Sequence, residues 1–180
     1  MNSPHTSLRH GQKGFVLITV LLLVLMLTVL AIAIVSLNTG QTRIATNAAD
    51  SQVSFETAEG ALNQAVQAAY GGTLAAQTYT NTVTGPYFMY NPAVAGADGA
   101  PGVPPVWTTV NWSSPTAVVP AFQGNSSTTA AYIVEQLPSV AMAGQNQAAK
   151  TVVYRITARA VGQSSNTVTM LQTIVSYQQF

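Results

Sequence analysis

Residues Phe15 to Val35 read FVLITVLLLVLMLTVLAIAIV, 21 residues without a charge, with Thr19 and Thr28 as the polar members. As a helix rising about 1.5 Å per residue, the run is roughly 30 Å long, the thickness of a bilayer's hydrocarbon core. Seventeen of its residues are Leu, Ile, Val, Phe or Met. At roughly 0.3 to 0.6 kcal/mol each, they favour insertion by on the order of 5 to 10 kcal/mol. A chain of 180 residues can hardly surround a helix that is apolar on every side, so a membrane span is expected rather than a soluble core helix. Arg9 and Lys13 precede the run, and no charge follows it until Arg43. The positive-inside rule then predicts a single-pass membrane protein with its N-terminus cytoplasmic and its remaining bulk outside. Ser36-Leu37-Asn38-Thr39-Gly40 is a poor signal-peptidase site, so the segment is expected to stay with the mature protein.

Composition closes off several chemistries. Charged residues make up 6% of the chain, with six Lys/Arg against five Asp/Glu, so there is almost no net field to attract nucleic acid. Ser, Thr, Asn and Gln supply 59 residues, which makes the surface polar without making it charged. The chain has no cysteine, which removes disulfides, thiolate metal sites and cysteine nucleophiles. His5 and His10 are the two histidines, and their place near the N-terminus leaves none for a triad or a His-based metal site in a folded head. Neither an enzyme nor a cofactor or metal site is expected. Glu56 and Glu59, three apart, read as a solvated helix face.

Past the span, Ile44, Ala48, Ser51, Phe55, Ala58, Leu62, Ala65 and Ala69 recur at alternating steps of four and three, the mark of an amphipathic helix. Its opposite face carries Arg43, Asn47, Asp50, Glu56 and Gln64. The pattern predicts one helix from Phe15 to Tyr70, weakest at Gly40 and stopped by Gly71-Gly72, packing through Ile44, Phe55, Leu62 and Val66. Residues 71–129 form an insert rich in turn markers such as Gly85-Pro86, Asn91-Pro92 and Pro104-Pro105. Within it Val106 to Trp112 alternates like a short strand. Tyr87, Phe88, Tyr90, Trp107 and Trp112 either present a binding surface or pack the insert onto a sheet. The N-x-S pairs Asn111-Ser113 and Asn125-Ser127 carry little weight. Ala130–Leu137, Thr151–Val161 and Thr167–Tyr177 are strand-like, the last two joined as a hairpin by 162–166.

Gln12-Lys13-Gly14-Phe15 ahead of an unbroken apolar run resembles the prepilin leader of type IV pilins and type II secretion pseudopilins. Thr57-Ala58-Glu59-Gly60-Ala61-Leu62 is similar to a stretch common in PilX-type minor pilins. So are Tyr132-Ile133-Val134-Glu135, the run Tyr154-Arg155-Ile156-Thr157-Ala158-Arg159, and Leu171-Gln172-Thr173. The likeness covers residues 12–70 and 130–177 and leaves the insert out. It implies an α+β pilin-like fold: leader 1–14, transmembrane half-helix 15–36, amphipathic half-helix 37–70, insert 71–129, and an antiparallel sheet in 130–180. It also implies cleavage between Gly14 and Phe15 by a prepilin peptidase, with N-methylation of Phe15. The fifth position of such a mature chain usually holds Glu, thought to pair with a neighbour's N-terminal ammonium, and here it is Thr19. That narrows the resemblance to minor subunits lacking this Glu. The implied role is a structural minor pilin at or near the tip of a type IV pilus, promoting the start of assembly in motility or adhesion. Its implied partners are other minor pilins, the major pilin, a tip adhesin and, before assembly, the inner membrane, with the head periplasmic. The alternative is a tip minor pseudopilin of a type II secretion system.

Overall fold

The computed structural model describes residues 13–82, 85–122, 129–140 and 151–178. The chain divides into two compact units, Met1–Asn47 and Ala48–Phe180, and one helix, α1 (Lys13–Tyr70), contributes to both. In the first unit the large apolar side chains from Phe15 to Val35 are 49–71% exposed, which suits a helix whose surroundings are lipid or other helices. Thr19, Thr28 and Thr39 donate their hydroxyls to carbonyls three or four residues back, which satisfies them without an outside partner. The helix continues through Gly40 rather than melting there. One helical glycine costs only about 1 kcal/mol against alanine.

In the second unit α1 buries a narrow face of small residues. Ser54, Ala58, Ala61 and Ala65 are fully buried and Ala69 nearly so, with Leu62 and Val66 packed at the margin. The expected stripe is therefore correct from Ala58 to Ala69, but Phe55 is 48% and Ile44 71% exposed. The large side chains of the sheet leave room for small residues only, so Ser54 rather than Phe55 is buried, and Ile44 precedes the second unit. Gly72, at φ 76°, ends the helix in the left-handed region, and Gly71 N–H and Gly72 N–H close on the carbonyls of Gln67 and Ala69.

The sheet contains β1 (Tyr87–Met89), β2 (Val119–Ala121), β3 (Thr129–Val140), β4 (Thr151–Val161) and β5 (Val168–Gln178). Its main order is β1-β3-β4-β5, and β2 also pairs with β3. β3, β4 and β5 form the expected antiparallel core, with Ala130 opposite Ala160 and Val161 opposite Val168. The insert adds β1 at the edge, parallel to β3 with Tyr87 opposite Val134, so the whole sheet is mixed. The long return from β1 to β3 supplies the crossover that a parallel pair requires. The β3 register slips between Leu137 and Val140, around Pro138, which cannot donate to a ladder.

Both faces of β3 and β4 are covered. Against α1 lie Tyr132, Val134, Tyr154, Ile156 and Val175, large residues facing the helix alanines. On the other face the insert packs Phe88, Val106, Val110 and Val118 against Ile133, with Trp107 and Trp112 at the edge of the cluster. Val106–Trp112 is not a strand: Val106–Thr109 forms a short helical turn, α2. Pro105 opens that turn, where its carbonyl accepts both the N–H and the hydroxyl of Thr108. A missing N–H costs nothing at a helix start. Asn125-Ser127 lies outside the described residues.

Candidate functional site

Gly14 and Phe15 lie in the first described turn of α1. Among the described residues nothing lies within 4 Å of where a Cβ on Gly14 would stand, and Phe15 is 70% exposed. Gln12, Arg9, His5 and His10 are outside the described residues. Four residues on from Phe15, the Thr19 hydroxyl donates to the Phe15 carbonyl at 2.9 Å and lies equally close to that of Val16. Thr19 thus spends its one proton inside its own helix, where a carboxylate would need an external cation.

A second constellation was not expected from sequence. Glu135 on β3 is fully buried and faces Arg155 on β4, its register partner. The guanidinium donates through Nε at 2.8 Å and through Nη2 to the two carboxylate oxygens, a fork that matches a carboxylate. The insert then closes over the pair. Asp98 brings Oδ2 to 3.6 Å from Arg155 Nη2, and that oxygen is buried without a hydrogen bond. Trp107 lies 4.7 Å and Tyr90 5.6 Å from the guanidinium carbon, ring centroid to Cζ. Gly99, at φ 83°, makes room beside the Tyr90 ring that a side chain would fill.

Two carboxylates therefore share one guanidinium. Burial pushes the Glu135 carboxyl up to about 7; hydrogen bonds from Arg155 oppose the rise and the neighbouring Asp98 carboxyl adds to it. Arg155 is held above its ordinary range, chiefly by its hydrogen bonds to Glu135. The arrangement is that of a clamp: Arg155 on β4 holds Glu135 on β3 and reaches Asp98 of the insert. The available signal was scarcity. Beyond Glu59 the sequence holds two acids, Asp98 and Glu135.

A smaller tie joins α1 to the β4–β5 hairpin. The Asp50 carboxylate accepts the N–H groups of Gln163 at 2.6 Å and Ser164 at 3.2 Å. A hydrogen bond from the Thr167 side chain is the main influence holding its carboxyl below the ordinary range. Gly162 has no Cβ to collide with that carboxylate. One turn on, Ser54 Oγ donates to Thr169 Oγ1 at 2.9 Å. Beyond them a tyrosine ladder lines the helix side, with Tyr79 stacked on Tyr154 at 5.6 Å and Tyr154 tilted against Tyr177 at 5.9 Å.

Two family models match this chain. The model described as "Type IV pilus assembly protein PilX C-term" covers residues 41–176, and "PilX N-terminal" covers residues 13–63. The chain belongs to the PilX family. It is a type IV pilus minor pilin, a structural component that associates with other parts of the pilus. No curated protein and no solved structure matches it. The PilX match runs through 71–129, so the insert is not outside the family region, as the motif resemblance had it. For a PilX-family pilin the exposed apolar half of α1 fits a single-pass membrane anchor. The clamp around Arg155 organises the head that this anchor carries.

Proposed function

We propose that this PilX-family minor pilin occupies the first layer of a type IV filament, at or near its tip, and lowers the barrier to starting assembly. The observation that carries the reading is Thr19. If Phe15 is the mature N-terminus, released by a prepilin peptidase and N-methylated, then Thr19 is the fifth residue. Its hydroxyl is satisfied by the Phe15 carbonyl, and no carboxylate is available there for the ammonium of a subunit ahead. Only a subunit with nothing ahead can dispense with that pair, because a buried ammonium left alone costs several kcal/mol. The other minor pilins and the major pilin then stack beneath it, and a tip adhesin is a further partner. Before assembly the head lies in the periplasm and the N-terminus in the cytoplasm, in keeping with Arg9 and Lys13 before the span.

The first subunits leave the bilayer before many neighbours exist to pack against. A preassembled minor-pilin complex offsets that cost, so deletion is expected to reduce filament number more than filament length. The test is immunogold localisation of the protein, with filament counts for the deletion and for Thr19→Glu. Tip labelling and a loss of filaments in both strains are expected. Uniform decoration of shafts, or unchanged filament number on deletion, would replace the tip initiator with a shaft-inserted modulator. The match to type IV pilus assembly proteins favours this system over type II secretion.

A further inference from the structure

Among the described residues β5 is the outermost strand of the sheet on its side, and it lacks the devices that normally guard an edge. Its eleven residues, VTMLQTIVSYQ, contain no charge and no proline. It pairs with β4 without a bulge from Val168 to Gln178. The opposite side differs, because β1 is three residues long and Thr80 bridges to Phe88 there. Long, flat, uncharged edges are the ones that accept another strand.

The side chains point the same way. On the helix side of the sheet Leu171, Val175 and Tyr177 pack into the α1 core. On the other side the insert covers β3 and β4 but leaves β5 open. Val168 is 45%, Met170 42% and Ile174 63% exposed, spaced so that all three share one face. A mostly apolar row, with Gln172 and Ser176 among its members, thus borders a backbone edge that no other strand pairs among the described residues. Only an extended segment can satisfy both, since the backbone row asks for a ladder and the apolar row for side chains at alternate positions.

We infer that β5 is an interaction strand that accepts an uncharged, extended segment of a neighbouring pilus subunit by strand addition. The absence of charge along the edge favours a segment that is itself neutral there, because a lone buried charge would stay unpaired. Pairing with a second copy through β5 is disfavoured by symmetry. Such a contact is isologous and closes at a dimer, whereas a filament grows through heterologous contacts. The inference rests on family membership and is independent of the tip placement.

The test uses the full-length protein in piliated cells, with a photo-crosslinking phenylalanine analogue placed at Met170, at Ile174 and, as a control, at exposed Gln67 on α1. The expected result is adducts from 170 and 174, but not from 67, to one pilus subunit. The two crosslinked partner residues should lie about four positions apart in an extended segment. Ile174→Lys should lower the adduct from 170 at least tenfold, while protease resistance of the head is unchanged. If that variant misfolds, the crosslink spacing in the otherwise native chain still decides the matter. Adducts to a second copy of the protein, adducts without a fixed spacing, or none from either position would overturn the inference.

Discussion

At the scale of single residues, the head depends on how few charges it has and how they are spent. Arg155 is 17% exposed in its side chain and Glu135 not at all. Removing the guanidinium strands two buried carboxylates, so Arg155→Ala is expected to cost about 3 to 5 kcal/mol. Proton linkage supplies a sharper test. Burial leaves Glu135 holding its proton up to about 7, above the ordinary 4.5 of a glutamate carboxyl. The folded state then binds more protons than the unfolded state between those values. This contribution is complete below the unfolded value and is lost as the pH rises through about 7. Urea unfolding should show a head more stable at about pH 5 than at about pH 8, and Glu135→Gln should flatten that slope. Asp50 runs the other way: its carboxyl is held low, so its contribution is lost only in strong acid. A slope unchanged by Glu135→Gln would assign the effect to other groups.

At the scale of elements, α1 shows how a helix face is selected. Hydrophobicity alone picks Phe55 and Ile44 as core residues, yet both are exposed, and the buried positions are Ser54, Thr57, Ala58, Ala61, Ala65 and Ala69. The sheet decides this by presenting Tyr132, Tyr154 and Ile156, whose bulk leaves room for small partners only. Ala61→Leu is therefore expected to destabilise the head by about 1 to 3 kcal/mol through overpacking. Phe55→Ala should change stability by only about 0.5 kcal/mol, as an exposed position does. Denaturant midpoints of the two variants check this, and the reverse order would restore the stripe read from sequence. The same elements explain α2. Alternation along Val106–Trp112 imitates a strand, but Pro105 starts a helical turn and both tryptophans become packing residues.

At the scale of the whole molecule, the exposed apolar half of α1 requires surroundings other than water. Neighbouring pilins and the bilayer are the two that a type IV pilus offers. Passing from one to the other requires a mature N-terminus, which the Gly14–Phe15 junction is proposed to supply. Mass spectrometry of envelope-derived protein is expected to find N-methyl-Phe15 as the first residue. Gly14→Leu should leave the precursor uncut, because a small residue is needed for the peptidase to approach the backbone. An intact leader in assembled filaments, or a first residue after Gly40, would reject that processing.

Several features were legible in the residues themselves: the span, the helix stop at Gly71-Gly72, the three long strands and the pilin resemblance. Each rests on a local pattern, whether an unbroken apolar run, a glycine pair or runs rich in Val, Ile and Thr, and local patterns survive without knowledge of distant contacts. Tertiary structure alone decided the parallel pairing of β1, the rotation of the α1 face and the clamp of Asp98, Arg155 and Glu135. It also decided the fate of the insert aromatics, which pack against the sheet. These depend on groups far apart in the chain: Asp98 and Arg155 carry no mutual signal at their separation, and their meeting is set by how the insert folds back over β4. The open row on β5 belongs with them. Val168, Met170 and Ile174 read as ordinary strand residues, and only the extent of the insert's cover shows that they are left exposed.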